Sequence, residues 1–277
     1  MAHSSQAKRG LTFYLLAGFF GLFVAFLYGP MLIIFILSFQ GENGGLTFPM
    51  RGVSVHWFSD LFTSSRYGDL GGALKRSLIL GVASMIITGI VCLFAGLAFR
   101  RKFVGAGALF YLSIISLVIP GILLGLGIGQ LFQILGLRLH WFTSGLGAQL
   151  TWTLPFGLLI MFAVLNRFDP SWEEAGRDAG ANAWQVLKWV TIPILFPGLI
   201  AVSLFGFTLS YDEMPRSLLT VGAQNTLPIE ISNMTSNVTT PALYAIGTVT
   251  SVLSFTAIGV AFFLIFSIQK NRAGKKR

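Results

Sequence analysis

Residues 171–198 read SWEEAGRDAGANAWQVLKWVTIPILFPG. The chain has 10 acidic residues in 277, yet Asp169, Glu173, Glu174 and Asp178 fall within ten positions here, with long uncharged runs on both sides. The stretch is too polar to span a lipid layer and too regular for a slack linker. Ser171-Trp172-Glu173-Glu174 fits a capping box, a serine N-cap with a glutamate three positions on, each satisfying the other's backbone N–H. Pro170 discourages an earlier start. Asn182-Ala183-Trp184-Gln185 repeats the pattern with Asn as the cap and Gln at the third position. The spacing therefore predicts two short helices over about residues 171–189, flanking the small-residue joint Ala179-Gly180-Ala181. Pro193 and Pro197 then mark the start of an apolar helix, where a missing N–H does least harm. On the first short helix Ala175, Gly176, Ala179 and Gly180 share one face at spacings of three and four. Such a face is flat enough for another surface to approach closely. An amphipathic hairpin that merely solvates a loop is the plainer alternative.

The flanking runs give the setting. Hydrophobic residues make up 54% of the chain and charged residues 10%, with mean hydropathy +0.76. A soluble domain carries roughly 25% charged residues, so this surface cannot face water all round. The expectation is a single all-α integral membrane domain. Spans of about 20 apolar residues are predicted at 11–39, 77–99, 104–135, 146–166, 193–213 and 243–268. Uncharged runs of this length satisfy their backbone in lipid as helices. The first run is too long for a cleavable signal core of roughly 7–15 residues and is expected to remain as the first span.

Net charge is +9, but the cations are scattered between apolar runs, which argues for topology signals over a nucleic-acid patch. Six spans put both termini on one face. That face holds Lys8, Arg9, Arg100, Arg101, Lys102, Arg167, Arg177, Lys188, Lys270, Arg272, Lys275, Lys276 and Arg277, thirteen against six on the other. The positive-inside rule assigns the thirteen, the quoted segment and both termini to the cytoplasm. Residues 40–76 and 214–242 then face outward.

The quoted segment resembles the cytoplasmic coupling motif of type I ABC importer permeases, E-A-A-x-x-x-G-(nine residues)-I-x-L-P. It maps onto Glu174, Ala175, Gly176, Gly180, Val190, Ile192 and Pro193, with Gly for the third-position Ala, Val for Ile and Ile for Leu. The resemblance implies the six-helix fold of these permeases, a bacterial inner-membrane location and alternating access. It also implies a docking role for this segment on an ATP-binding subunit, involving Glu173, Glu174, Ala175, Gly176, Asp178, Gly180 and Pro193. No G-x-x-x-x-G-K-[ST] sequence is present, so ATP is expected on that partner and no cofactor on this chain. A second permease subunit and a periplasmic solute-binding protein complete the implied set of partners.

Substrate class rests on LSYDEMPRSLLTVG at 209–222, NTLPIEI at 225–231 and Thr240-Pro241-Ala242-Leu243-Tyr244-Ala245, with Val55-His56-Trp57-Phe58 and Arg76-Ser77-Leu78 upstream. This order resembles the second permease subunit of spermidine/putrescine importers, which implies a small organic cation such as putrescine or spermidine. Two features depart from that subunit: Gly121 follows Pro120 where an acid is common, and Arg216 adds a positive charge. Both leave room for an amino-acid-like, opine or phosphonate solute. Ser210, Tyr211, Asp212 and Glu213, with Trp57, are the candidate path residues. Acids at membrane depth usually face a cavity or a partner, and Trp57 and Tyr211 could stack on an amine. The alternative is that the pair Asp212 and Glu213 simply lies at the interface, salt-bridged to Arg216, four residues on from Asp212.

Other signals carry less. Gly125, Gly127 and Gly129 have no preceding strand and read as helix packing or a kink. His3, His56 and His140 lie outside the span cores, and Cys92 is alone. No metal set and no catalytic triad can be proposed, so the chain is expected not to be an enzyme. The glycosylation patterns at Asn233 and Asn237 matter only in a secretory pathway. An ion-coupled secondary transporter needs acids within its spans and matched broken helices; only Asp212 and Glu213 qualify.

Overall fold

The computed structural model describes residues 10–101, 103–237 and 239–274. His3, Lys8, Arg9, Lys102, Val238, Lys275, Lys276 and Arg277 lie outside the described residues, as do the side chains of Lys270 and Arg272. Helices account for the architecture: α1 (Leu11–Leu37), α2 (His56–Thr63), α3 (Leu70–Phe99), α4 (Ala106–Val118), α5 (Gly121–Ile134), α6 (Leu146–Leu165), α7 (Ser171–Asp178), α8 (Ala183–Val186), α9 (Ile192–Tyr211), α10 (Leu227–Asn237) and α11 (Ala242–Gly274). No strand occurs among the described residues beyond one isolated bridge between Gln40 and Val53. Five helical stretches are long and apolar enough to cross a membrane, or six if α4 and α5 form one broken span.

The chain divides into two compact units. The first comprises residues 1–64 and 237–252. Its α1 carries no charge and leaves nearly every side chain exposed; only 6% of its most apolar window is buried. The loop after α1 is organised around the buried Gln40. Its amide donates to the Gly45 carbonyl (3.1 Å) and accepts from the Arg51 N–H (2.8 Å). Trp57 of α2 donates its indole N–H to the Gln40 carbonyl at 2.8 Å, and the Tyr244 hydroxyl donates to the Leu46 carbonyl at 2.6 Å.

The second unit comprises residues 65–236 and 253–277. Helices α3, α6 and α9 pack together around Cys92, Leu93, Leu158, Met161, Leu165, Leu195 and Val202. Small residues bring these helices close, since lipid supplies no hydrophobic drive between them. A Cβ on Gly157 would sit 2.7 Å from Cys92 Sγ. The Thr88 and Thr153 hydroxyls bond at 2.9 Å inside this dry contact.

Three expectations need correction. Helix α3 begins at Leu70, not near residue 77, because the Asp69 carboxylate caps it by accepting from the Gly72 N–H (2.9 Å) and pairs with Arg76, about two turns on (3.1 Å). The span predicted at 104–135 is not straight. Proline disfavours the α conformation in the residue before it; Ile119 is extended, and α4 and α5 meet at 110°. The apolar helix after the quoted segment does not start at Pro193. Helix α8, a π-turn at Leu187–Thr191 and α9 run on as one helix from Ala183 to Tyr211. The wider turn accommodates Pro193, which lacks the N–H that a regular α-turn needs, while Pro197 lies inside α9.

Candidate coupling surface and solute path

Helix α7 is capped differently from the predicted box. The Asp169 carboxylate accepts from the Ser171 N–H (2.9 Å), and the Pro170 carbonyl accepts from the Glu173 and Glu174 N–H groups. Asp169 thus takes the Ser171 N–H that the box would have given to the Glu174 side chain. The second box forms as expected: the Asn182 side chain accepts from the Gln185 N–H (2.9 Å) and the Gln185 side chain from the Asn182 N–H (2.8 Å). Between them Gly180 has φ +85°. Its N–H bonds the Arg177 carbonyl (2.8 Å) and that of Ala181 the Gly176 carbonyl (3.1 Å), which closes α7 in a Schellman motif. A side chain at 180 would strain this left-handed turn, so the glycine is needed for the backbone itself.

The seven candidate coupling residues do not share one surface. Glu174, Ala175, Asp178 and Gly180 are exposed. Gly176 turns inward, where a Cβ would meet Val186 and Val190 at 3.4 Å, and Pro193 sits in the first turn of α9. Glu173 also turns inward. Its Oε1 accepts from Arg100 Nη1 (2.9 Å) and from the Thr191 hydroxyl (2.8 Å). Partial burial alone would raise the Glu173 pKa. The hydrogen bonds from Arg100 and Thr191, with the charges of Arg100 and Arg177, outweigh it and hold the carboxyl below its usual range. Arg100 lies 5.0 Å from the centroid of the Phe168 ring, which makes an edge contact with Trp172.

The structure thus gathers Glu173 with Arg100 and Arg177, two of the cations assigned to one face, at one end of α3. At its other end Arg76 donates to the Asn225 carbonyl (2.7 Å) and Ser77 accepts from the Leu227 N–H (2.9 Å). The Arg-Ser-Leu and Asn-Thr-Leu-Pro motifs, some 150 residues apart, are therefore one structural joint.

The candidate path residues divide sharply. Trp57 is buried in the first unit, its N–H spent on Gln40. In the second unit, the Ser210 hydroxyl bonds the Gln149 amide, which also reaches Ser217 (3.2 Å). Tyr211 is buried and stacks on Phe207. Of the two acids, Glu213 is the one that pairs with Arg216: it accepts from the Arg216 N–H (3.0 Å) and Nη1 (3.2 Å), with these side chains 6% and 4% exposed. The helix ends at Tyr211, so Arg216 lies in the following turn, within reach of the Glu213 carboxylate three residues before it. Arg216 also stacks on Trp152 of α6, its Cζ 4.3 Å from the ring centroid. Asp212 is left exposed, pairing with no cation among the described residues. The missing acid after Pro120 has a steric reason: a Cβ on Gly121 would lie 2.9 Å from Arg216 Nη1, and one on Gly125 2.7 Å from the Arg216 carbonyl. Gly125 thus serves packing as expected, whereas a Cβ on Gly127 would meet nothing within 4 Å among the described residues. Gln149, Trp152, Arg100 and Thr191 were not singled out for these sites, because each works through a partner far away in sequence.

An all-helical membrane domain with an exposed, acid-bearing short helix between two spans is the class of a transporter permease that engages other subunits. The sequence profile of the family "Binding-protein-dependent transport system inner membrane component" matches residues 85–272, and the chain belongs to this family. The chain is 29% identical over 247 residues to the "Spermidine/putrescine transport system permease protein PotC" of Haemophilus influenzae, which covers 89% of this chain and 94% of that protein. It is 28% identical over 261 residues to the "Putrescine transport system permease protein PotI" of Escherichia coli K12, covering 91% and 89%. In fold it is similar to a chain of a bacterial alginate ABC transporter in complex with an alginate pentasaccharide-bound periplasmic protein, with TM-score 0.61, 16% identity and coverage of 91% and 92%.

Proposed function

We propose that this chain forms half of the translocation path of an ATP-driven importer for a small organic cation of the polyamine class, working by alternating access. A second permease would supply the other half. A periplasmic binding protein would deliver the solute, and a pair of ATPase subunits would bind the ATP. Helix α7 is the docking element. Its Glu174, Ala175 and Asp178 are open to a partner, while Gly180 shapes the turn that presents them. Orientation follows the cation count, with both termini and α7 in the cytoplasm.

The observation that carries the substrate class is the division between neighbouring carboxylates. Glu213 neutralises Arg216 inside the protein, so Arg216 does not oppose a cation, and Asp212 stays unpaired and accessible. The printed names of both polyamine permeases support the same class. The test uses cells lacking their own polyamine uptake. Putrescine or spermidine uptake should require this chain and its ATPase, and should fall at least about tenfold on Glu174→Arg with the membrane level unchanged, since reversing one interfacial charge costs several kcal/mol. Uptake that persists without any ATPase would instead favour ion-coupled transport. Undiminished uptake in Glu174→Arg would remove α7 from the coupling role.

A further inference from the structure

Two adjacent glutamates open α7, and they point to different sides. Glu174 faces out, whereas Glu173 is held by one bond to the end of α3 and another to the π-turn that leads into α9. Apolar packing joins α7 to the π-turn, where Gly176 lies against Val186 and Val190, but leaves the side toward α3 open. Between the end of α3 and helices α7 and α8 lies an open cleft of about 740 Å³, lined by Leu97, Phe103, Val186 and Leu187. The Arg100–Glu173 pair crosses the wall of that cleft. Arg100 is braced by Phe168, which is itself in contact with Trp172 on α7. On its other side Glu173 meets Thr191, the last residue of the π-turn, and the same continuous helix ends beside Asp212.

We propose that Glu173 is a positioning residue, a tether that transmits displacement of α7 into α3 and α9. Glu174, Ala175 and Asp178 receive the push, and Glu173 passes it on. A carboxylate suits the task because two short charge-assisted or hydroxyl bonds fix direction as well as distance. Packing across a partly empty cleft would let α7 slide before the spans responded. This inference rests on the reading of α7 as the docking element.

The test compares Glu173→Gln, Arg100→Gln and the double variant in the whole assembly, purified through this chain and reconstituted with its binding protein and putrescine. Two quantities are read: the amount of ATPase subunit that co-purifies, and the stimulation of ATP hydrolysis by loaded binding protein. Docking should be preserved in all three variants, while stimulation falls about tenfold, the scale of one lost charge-assisted hydrogen bond. The double variant should be no worse than either single one, as expected for two partners of one interaction. Wild-type stimulation in Glu173→Gln would overturn the proposal. So would loss of the co-purified ATPase in that variant, since Glu173 would then belong to the docking face. Additive losses in the double variant would also refute the link. Absence of an ATPase subunit from the wild-type preparation would instead refute the docking reading itself.

Discussion

Asp212 and Glu213 are neighbours of the same chemistry with opposite fates. Glu213 is buried against the Arg216 guanidinium, and that cation is sandwiched with Trp152. Asp212 stands at the end of α9 and pairs with no cation among the described residues. Removing one partner of a buried ion pair costs roughly 3–5 kcal/mol, because the other charge is left unpaired. Glu213→Gln is therefore expected to lower the amount of folded protein in the membrane. Asp212→Asn strands no charge, so its level should stay near wild type while cation uptake per molecule falls about tenfold, one charge-assisted contact with substrate. Quantitative blotting with uptake assays on the same membranes separates the two effects. Wild-type uptake in Asp212→Asn would take this carboxylate out of the path. The acid pair and the nearby Arg216 are legible in the sequence, but not which of the two acids pairs with it. Spacing allowed both three and four residues, and only the turn after Tyr211, which no periodicity announces, decides between them.

Elements were legible where one pattern acted alone. The box at Asn182 and Gln185 has no competitor and forms as read. The box at Ser171 has one, Asp169, whose carboxylate reaches the Ser171 N–H first. Prolines misled for a similar reason. Pro193 and Pro197 suit a helix start, but a π-turn just before Pro193 lets a helix begun ten residues before that proline run on, with Pro197 inside it. The break at Pro120 went unread because a broken span and a straight one have the same composition. The two ends of the joint between α7 and α8 make a comparison possible. Gly180→Ala forces a Cβ into φ +85°, at a cost of about 1–2 kcal/mol, while Asn182→Ala removes a cap worth about 1 kcal/mol. Neither change touches the exposed side chains of Glu174 or Asp178. Both variants are expected to reduce uptake at constant membrane level, with Gly180→Ala the more severe, because it deforms the turn that presents α7. The reverse order would mean that the α8 cap, and not the Schellman turn, sets the pose of the docking helix.

For the whole molecule, hydropathy sets the fold class, while the tertiary partners stay hidden. Arg100 and Glu173 are 73 positions apart and Ser77 and Leu227 are 150, so no local window contains either pair. Orientation is a third matter: it depends on the count of thirteen cations against six, and the grouping of Arg100 with Arg177 at one end of α3 agrees with that count. One chemical property of the chain makes the orientation directly measurable. Its single cysteine, Cys92, is fully buried in the packing of α3 against α6, so a membrane-impermeant maleimide should leave the wild-type protein unlabelled in intact cells and in inverted vesicles alike. Against that blank background, Val53→Cys places a thiol at a position 79% exposed in the first unit, and Asp178→Cys places one on the outward side of α7. Val53→Cys is expected to react only in cells whose outer membrane is permeabilised, and Asp178→Cys only in inverted vesicles. Labelling of Asp178→Cys from outside would put α7 on the wrong side for an ATPase, and every step argued from its docking would fall with it. Labelling of both from the same side would require an odd number of crossings between residues 53 and 178 to become even, and would turn the 110° bend between α4 and α5 from a broken span into a re-entrant loop.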